Sequence, residues 1–81
     1  MNTVNKIFNE LRRLKFEHTH LWIFQQYKSF CSNNLDPIEA KEFHNVMTQL
    51  CKDGFFDTEI RNKMPAFRLT LKGEHKLWQN M

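Results

Sequence analysis

Asp36-Pro37-Ile38-Glu39 opens, and Lys52-Asp53-Gly54-Phe55-Phe56 closes, the segment from which the rest of the chain is read. An acidic N-cap at Asp36, proline at the first helical position and Glu39 three residues past the cap predict a helix start. Ile38, Phe43, Val46, Met47 and Leu50 then recur at helical spacing, predicting one buried face on a helix from Pro37 to Asp53. Gly54 reads as the stop, because glycine takes a positive φ cheaply. Beyond it, Phe55–Ile60 and Phe67–Leu71 read as two extended segments around the loop Arg61-Asn62-Lys63-Met64-Pro65-Ala66. Phe56, Thr58 and Ile60 on the first segment, and Phe67, Leu69 and Leu71 on the second, are expected to face inward. Thr70 is placed to cap a last helix from Lys72 to Trp78, with Leu77 and Trp78 as its apolar patch.

Upstream, Thr3 is expected to cap a first helix through Lys15, with Val4, Ile7, Phe8, Leu11 and Leu14 on one stripe. Phe16-Glu17-His18 makes a short connection. Thr19 or His18 starts a second helix to about Ser32, with Trp22, Ile23, Phe24, Tyr27, Phe30 and Cys31 on a wide apolar face. Trp22-Ile23-Phe24 also suits a buried strand, since β-branched and aromatic residues favour that state. Gln25-Gln26-Tyr27-Lys28 favours the helix. Ser32-Asn33-Asn34-Leu35 is a polar turn before the Asp36 cap.

This order (helix, glycine, strand, basic loop, strand, Leu69-Thr70-Leu71-Lys72-Gly73) resembles the C-terminal part of a winged-helix domain, over about half the chain. The resemblance implies an α+β fold: a three-helix cluster, a C-terminal β-hairpin wing and a short closing helix, in a single domain over residues 1–81. It also implies that the helix from Pro37 to Asp53 is a recognition helix and the loop 61–66 a wing.

With 81 residues, 41% of them apolar, and eight Phe, two Trp and one Tyr, the chain has material for one compact core. Two Gly and two Pro leave little room for linkers or low-complexity tracts. No apolar run approaches the ~20 residues of a membrane span, and the first residues lack signal-peptide character, so a cytoplasmic protein without membrane contact is expected. Cys31 and Cys51 read as reduced, buried thiols.

The net charge of +3 is unevenly spread. Residues 6–15 hold Lys6, Arg12, Arg13 and Lys15 against Glu10 alone. Residues 61–76 hold Arg61, Lys63, Arg68, Lys72 and Lys76 against Glu74 alone, while residues 16–60 carry three bases and seven acids. Two basic ends around an acidic middle point to a polyanionic partner.

On the expected wing, Arg61, Asn62 and Lys63, with Arg68 at the base, present cations and amide donors suited to a phosphate backbone or minor groove. On the expected recognition helix the outward set is Lys41, His44, Asn45, Thr48, Gln49 and Lys52. Asn45 and Gln49, one turn apart, suit adenine edges, and Lys41 and Lys52 suit phosphates. Against this, Asp36, Glu39 and Glu42 crowd the first turn, where carboxylates repel phosphates.

Other chemistries find little purchase. His18 and His20, at i, i+2, fall on different helix faces, and Cys31 and Cys51 have no Cys-x-x-Cys partner, so no metal site is expected. No phosphate loop or nucleophile elbow occurs, and His44 and Cys51 stand two turns apart, so neither an enzyme nor a cofactor is expected.

The expectation is a small phage- or plasmid-type transcriptional regulator that binds double-stranded DNA, as a dimer built through the first helix or the Trp78 helix. One such module buries only ~600–1,000 Å² on DNA. The alternative is an interaction adaptor or inhibitor that meets a protein partner through its acidic middle.

Overall fold

In the computed structural model, which describes residues 2–79, the order is α1 (Thr3–Arg13), β1 (Leu21–Trp22), α2 (Phe24–Asn34), α3 (Pro37–Lys52), β2 (Phe56–Arg61), β3 (Met64–Leu69) and α4 (Leu71–Trp78). The architecture is α+β: four helices and a three-stranded antiparallel sheet of order β1-β3-β2.

α3 forms where its caps predict. Asp36 Oδ1 accepts from the Glu39 backbone N–H at 2.8 Å, and Glu39 Oε1 accepts from the Asp36 N–H at 3.1 Å. Its end is a Schellman motif: Gly54, at φ 87°, donates to Cys51 O, and Phe55 donates to Leu50 O. Phe43, Met47 and Leu50 are buried and Val46 is half-buried, but Ile38 is 70% exposed. It sits five residues before Phe43, out of phase with the buried stripe, so its assignment to that face is corrected.

α1 ends by the same device. Lys15 takes φ 57° and donates to Arg12 O, while Phe16 donates to Leu11 O. The helix therefore stops at Arg13 rather than Lys15. Leu14 turns 36% exposed and Phe16 enters the core. The cap is Asn2, whose side chain accepts from Asn5 N at 2.8 Å, whereas Thr3 is buried in the first turn.

The second helix starts later than expected. Thr19 adopts φ 76° and donates to Leu69 O at 2.8 Å, and Leu69 donates to His20 O at 3.0 Å. Leu21 and Trp22 continue the ladder opposite Arg68 and Phe67. Backbone groups that a helix would satisfy internally are satisfied by β3, so the strand reading of Trp22 is right and helical residues begin at Phe24. Ile23 offers no side-chain acceptor as N-cap; its N–H reaches Gln26 Oε1 at 3.4 Å.

The hairpin is tighter than the six-residue loop expected. Asn62 and Lys63 alone make the turn, with φ of 52° and 67°, the mirror-type geometry that continues strand twist. Pro65, which suggests a loop in the sequence, stands opposite Ile60 in a pair that exchanges no ladder bonds, by alternation from Arg61–Met64. Its carbonyl accepts the Tyr27 hydroxyl at 2.6 Å. Trp22, Phe56, Phe67 and Leu69 on one sheet face are buried. Thr58 and Ile60 continue that face but stay exposed, Ile60 at 67%. Leu71, expected inward, is the first residue of α4 and is 65% exposed.

Trp22 centres the core, with ring centroids of Phe30, Phe43 and Tyr27 at 5.4, 5.8 and 5.9 Å. Tyr27 also lies 5.3 Å from Phe67, so aromatic packing joins α2, α3 and the sheet. At the other end Thr70 caps α4: its hydroxyl accepts from Gly73 N at 2.9 Å and donates to Gly54 O at 2.6 Å. Trp78 Nε1 donates to Phe16 O at 3.0 Å, and Arg12 Nε donates to Leu77 O at 2.7 Å, tying α4 to α1.

Gly73 lets α4 close against Phe55 and Leu69. A Cβ there would collide with the Phe55 carbonyl oxygen and stand 2.7 Å from Leu69 Cδ1. Gly73→Ala should cost about 3 kcal/mol in urea unfolding, because overpacking against backbone outweighs the ~1 kcal/mol of helix propensity that alanine brings.

Candidate nucleic-acid interface

The six outward positions predicted on α3 are all exposed: Lys41, His44, Asn45, Thr48, Gln49 and Lys52. Thr48 Oγ1 donates to His44 O at 2.9 Å, and Gln49 Nε2 donates to Asp53 Oδ1 at 3.0 Å, so both side chains are engaged within the helix. Lys41, Asn45 and Lys52 have no hydrogen-bond partner among the described residues. They form the strip opposite Phe43, Met47 and Leu50 at 3.6 residues per turn.

The acids of the first turn do not act alike. Glu39 turns toward α1, where Lys6 Nζ meets its Oε1 at 2.6 Å and leaves its side chain 14% exposed. The hydrogen bond from Lys6, reinforced by the Asp36 N–H, holds the Glu39 carboxyl below its ordinary value of 4.5. Asp36 serves as the cap, so Glu42 is the exposed carboxylate left beside Lys41 and Asn45. A lowered folded-state value stabilises the protein above pH 4.5, and that contribution is lost as pH falls through the lower folded value. Acid titration of Glu39→Gln, followed by circular dichroism, should therefore show a shallower loss of stability below pH 4.5 than the parent chain.

At the hairpin tip, Lys63 is exposed and unpaired among the described residues, and Asn62 stands beside it. Arg61 and Arg68 both pair with Glu59, the first through Nε and the second through Nη2. Arg61 remains 57% and Arg68 39% exposed. The predicted cations are thus present at the surface, but two share one carboxylate, and the trio carries a net single positive charge. Cys51 Sγ lies 3.4 Å from Thr58 Oγ1, which sets β2 against the C-terminal half of α3. The hairpin cations and the α3 strip consequently belong to neighbouring elements.

A groove of ≈ 290 Å³ between the hairpin and the start of α2 is lined in part by Gln25, Arg61 and Asn62. Gln25 is exposed and joins the candidate surface. The sequence reading placed it mid-helix; only the later start of α2 brings it beside the turn.

The remaining polar candidates have structural partners. His18 backbone N–H and ring Nδ1 lie 2.8 and 3.2 Å from Glu74 Oε2, and His20 Nδ1 accepts from Glu17 N at 2.9 Å. Cys31 and Cys51 are free thiols, half-buried rather than fully buried. Among the described residues no group of three or more His, Cys, Asp or Glu is arranged to hold a metal ion, and no helix is long and apolar enough to cross a membrane. Compared with models of known families, with curated proteins and with solved structures, the chain matches none.

Proposed function

We propose that the chain is a winged-helix regulator that binds double-stranded DNA, with α3 in the major groove and the Asn62-Lys63 turn against the backbone or minor groove. The observation that carries this reading is the pairing of two surfaces: unpartnered Lys41, Asn45 and Lys52 on α3, and Asn62 and Lys63 on a hairpin held against that helix through Thr58 and Cys51. The element order and the short β1 closing the sheet beside β3 also support it.

In this reading Asn45 presents its amide to an adenine edge, and Gln49 joins it after releasing Asp53. Lys41, Lys52, Lys63 and Arg61, which holds Glu59 through Nε alone and stays 57% exposed, supply phosphate contacts with release of counterions. Glu39 does not oppose the approach, because Lys6 already neutralises it.

Fluorescence anisotropy with duplex fragments at low salt tests the reading through Glu59. Glu59→Gln removes the carboxylate shared by Arg61 and Arg68, freeing both guanidinium groups toward phosphate. DNA affinity should rise several-fold, and a fall would contradict the reading.

A second reading has its own observation: Ile38, 70% exposed, stands between the exposed acids Asp36 and Glu42. A protein-interaction adaptor with a basic partner would use that patch. Glu42→Lys would weaken such an interaction while improving DNA binding.

A further inference from the structure

The buried stripes of the two helices expected to make a dimer are used inside the protomer. Ile7, Phe8 and Leu11 of α1 and Leu77 of α4 are buried, and Trp78 is tied to Phe16. A different surface has both parts of an interface. Between α1, α3 and α4 lies a groove of ≈ 400 Å³ whose apolar lining is Val4, Val46, Leu50 and Phe55, with Lys76 on its rim. Lys72 and Lys76 hold their ammonium groups 5.0 and 5.6 Å from the Phe55 ring centroid. Neither lysine is paired with a carboxylate among the described residues; Lys72 Nζ donates to the Asp53 carbonyl. The groove therefore suits an apolar side chain accompanied by acids.

Such a group lies at the other end of the same helix. Ile38 is exposed and flanked by Asp36 and Glu42. Ile38, Glu42, Val46, Gln49 and Asp53 follow one another at steps of four, four, three and four, the spacing of a single helix face. Knob and hole thus share one face of α3, acids at its start and lysines near its end.

We infer that two copies of this chain associate through α3 in antiparallel, Ile38 of each entering the Val4–Val46–Leu50–Phe55 groove of the other. A two-fold axis near the middle of α3 makes both contacts at once and leaves no site open, so assembly stops at two. The acidic start of each helix then meets Lys72 and Lys76 of the other copy. Asp53, the one carboxylate at the groove among the described residues, is engaged by the Gln49 amide.

The pairing stands without the DNA reading, but one consequence rests on it. Gln49 lies on the shared face, and a second copy alongside α3 blocks entry into a major groove. The pair is then a storage form that excludes DNA.

Sedimentation velocity of the full chain, from low micromolar to sub-millimolar concentration and without DNA, tests the pairing. A shift from monomer to dimer, with no larger species, is expected. Ile38→Asp, at a position that contributes little to the core, should stay monomeric throughout with an unchanged melting temperature. Glu42→Lys and Lys76→Glu should each weaken association at least tenfold, and the double variant, which restores opposite charges at both contacts, should recover it. A parent chain that stays monomeric, growth beyond the dimer, dimers of Ile38→Asp, or a double variant without recovery would overturn the proposal. Added duplex DNA should dissolve the dimer; if it does not while the other results hold, the pairing survives and the DNA reading fails.

Discussion

Trp22→Ala should lower the free energy of unfolding by about 3–5 kcal/mol, the range for deleting a large aromatic side chain from a packed core. Trp22 is fully buried and meets Tyr27, Phe30 and Phe43, so the cavity would open where α2, α3 and the sheet join. A chain of this size holds roughly 4–12 kcal/mol in total, so the loss takes from about a quarter of that stability to all of it. Trp22→Phe should cost much less. It loses volume, but it also removes the indole Nε1–H, which is buried without a hydrogen-bond partner among the described residues. Such an orphaned donor costs about 1–3 kcal/mol, which offsets much of the lost packing. Urea titrations followed by far-UV circular dichroism separate the two variants.

Arg61→Glu combined with Lys63→Glu should reduce DNA affinity at least 100-fold at low salt, given that two phosphate contacts become two repulsions. The slope of log K against log salt should also flatten by about 2, one for each lost contact. Because Arg61 pairs with Glu59, the reversal places two carboxylates together on β2. Arg61→Gln with Lys63→Gln therefore serves as the companion variant: it should show the same flattening with a smaller loss of affinity. Both variants should keep the parent circular dichroism spectrum, since Lys63 is exposed and Arg61 more than half exposed.

The parts of this fold legible in the sequence are those fixed by local chemistry. Asp36, Pro37 and Glu39 announce the start of α3, and Gly54 its end, because each acts through backbone groups within a few residues. Thr70 as the cap of α4 is legible for the same reason. The start of α2 is not, since the N–H and C=O groups of Thr19, His20 and Leu69 bond across nearly fifty residues. Nothing local to Trp22 distinguishes a strand paired with Phe67 from a first helical turn. The turn is missed because Asn62-Lys63 lacks the glycine that marks most two-residue hairpins, and Pro65 suggests a loop. Ile60 and Leu71 show a further limit: alternation predicts a face but not how far the core extends beneath it.

For the candidate site, exposure of the α3 row follows from periodicity, and the structure agrees at all six positions. The partners of charged groups do not follow from periodicity. Lys6 with Glu39, and Arg61 and Arg68 with Glu59, join residues whose proximity depends on tertiary packing or strand register. These pairs decide which charges a polyanion meets, turning Glu39 from an obstacle into a neutralised cap and halving the surplus charge of the two arginines.

The most direct test of the central claim is the salt dependence of duplex binding by the parent chain, measured by anisotropy between 50 and 200 mM salt. With Lys41, Lys52, Arg61 and Lys63 on phosphates, log K should fall against log salt with a slope of roughly −3 to −4. No complex at the lowest salt, or a slope near zero, would contradict the account.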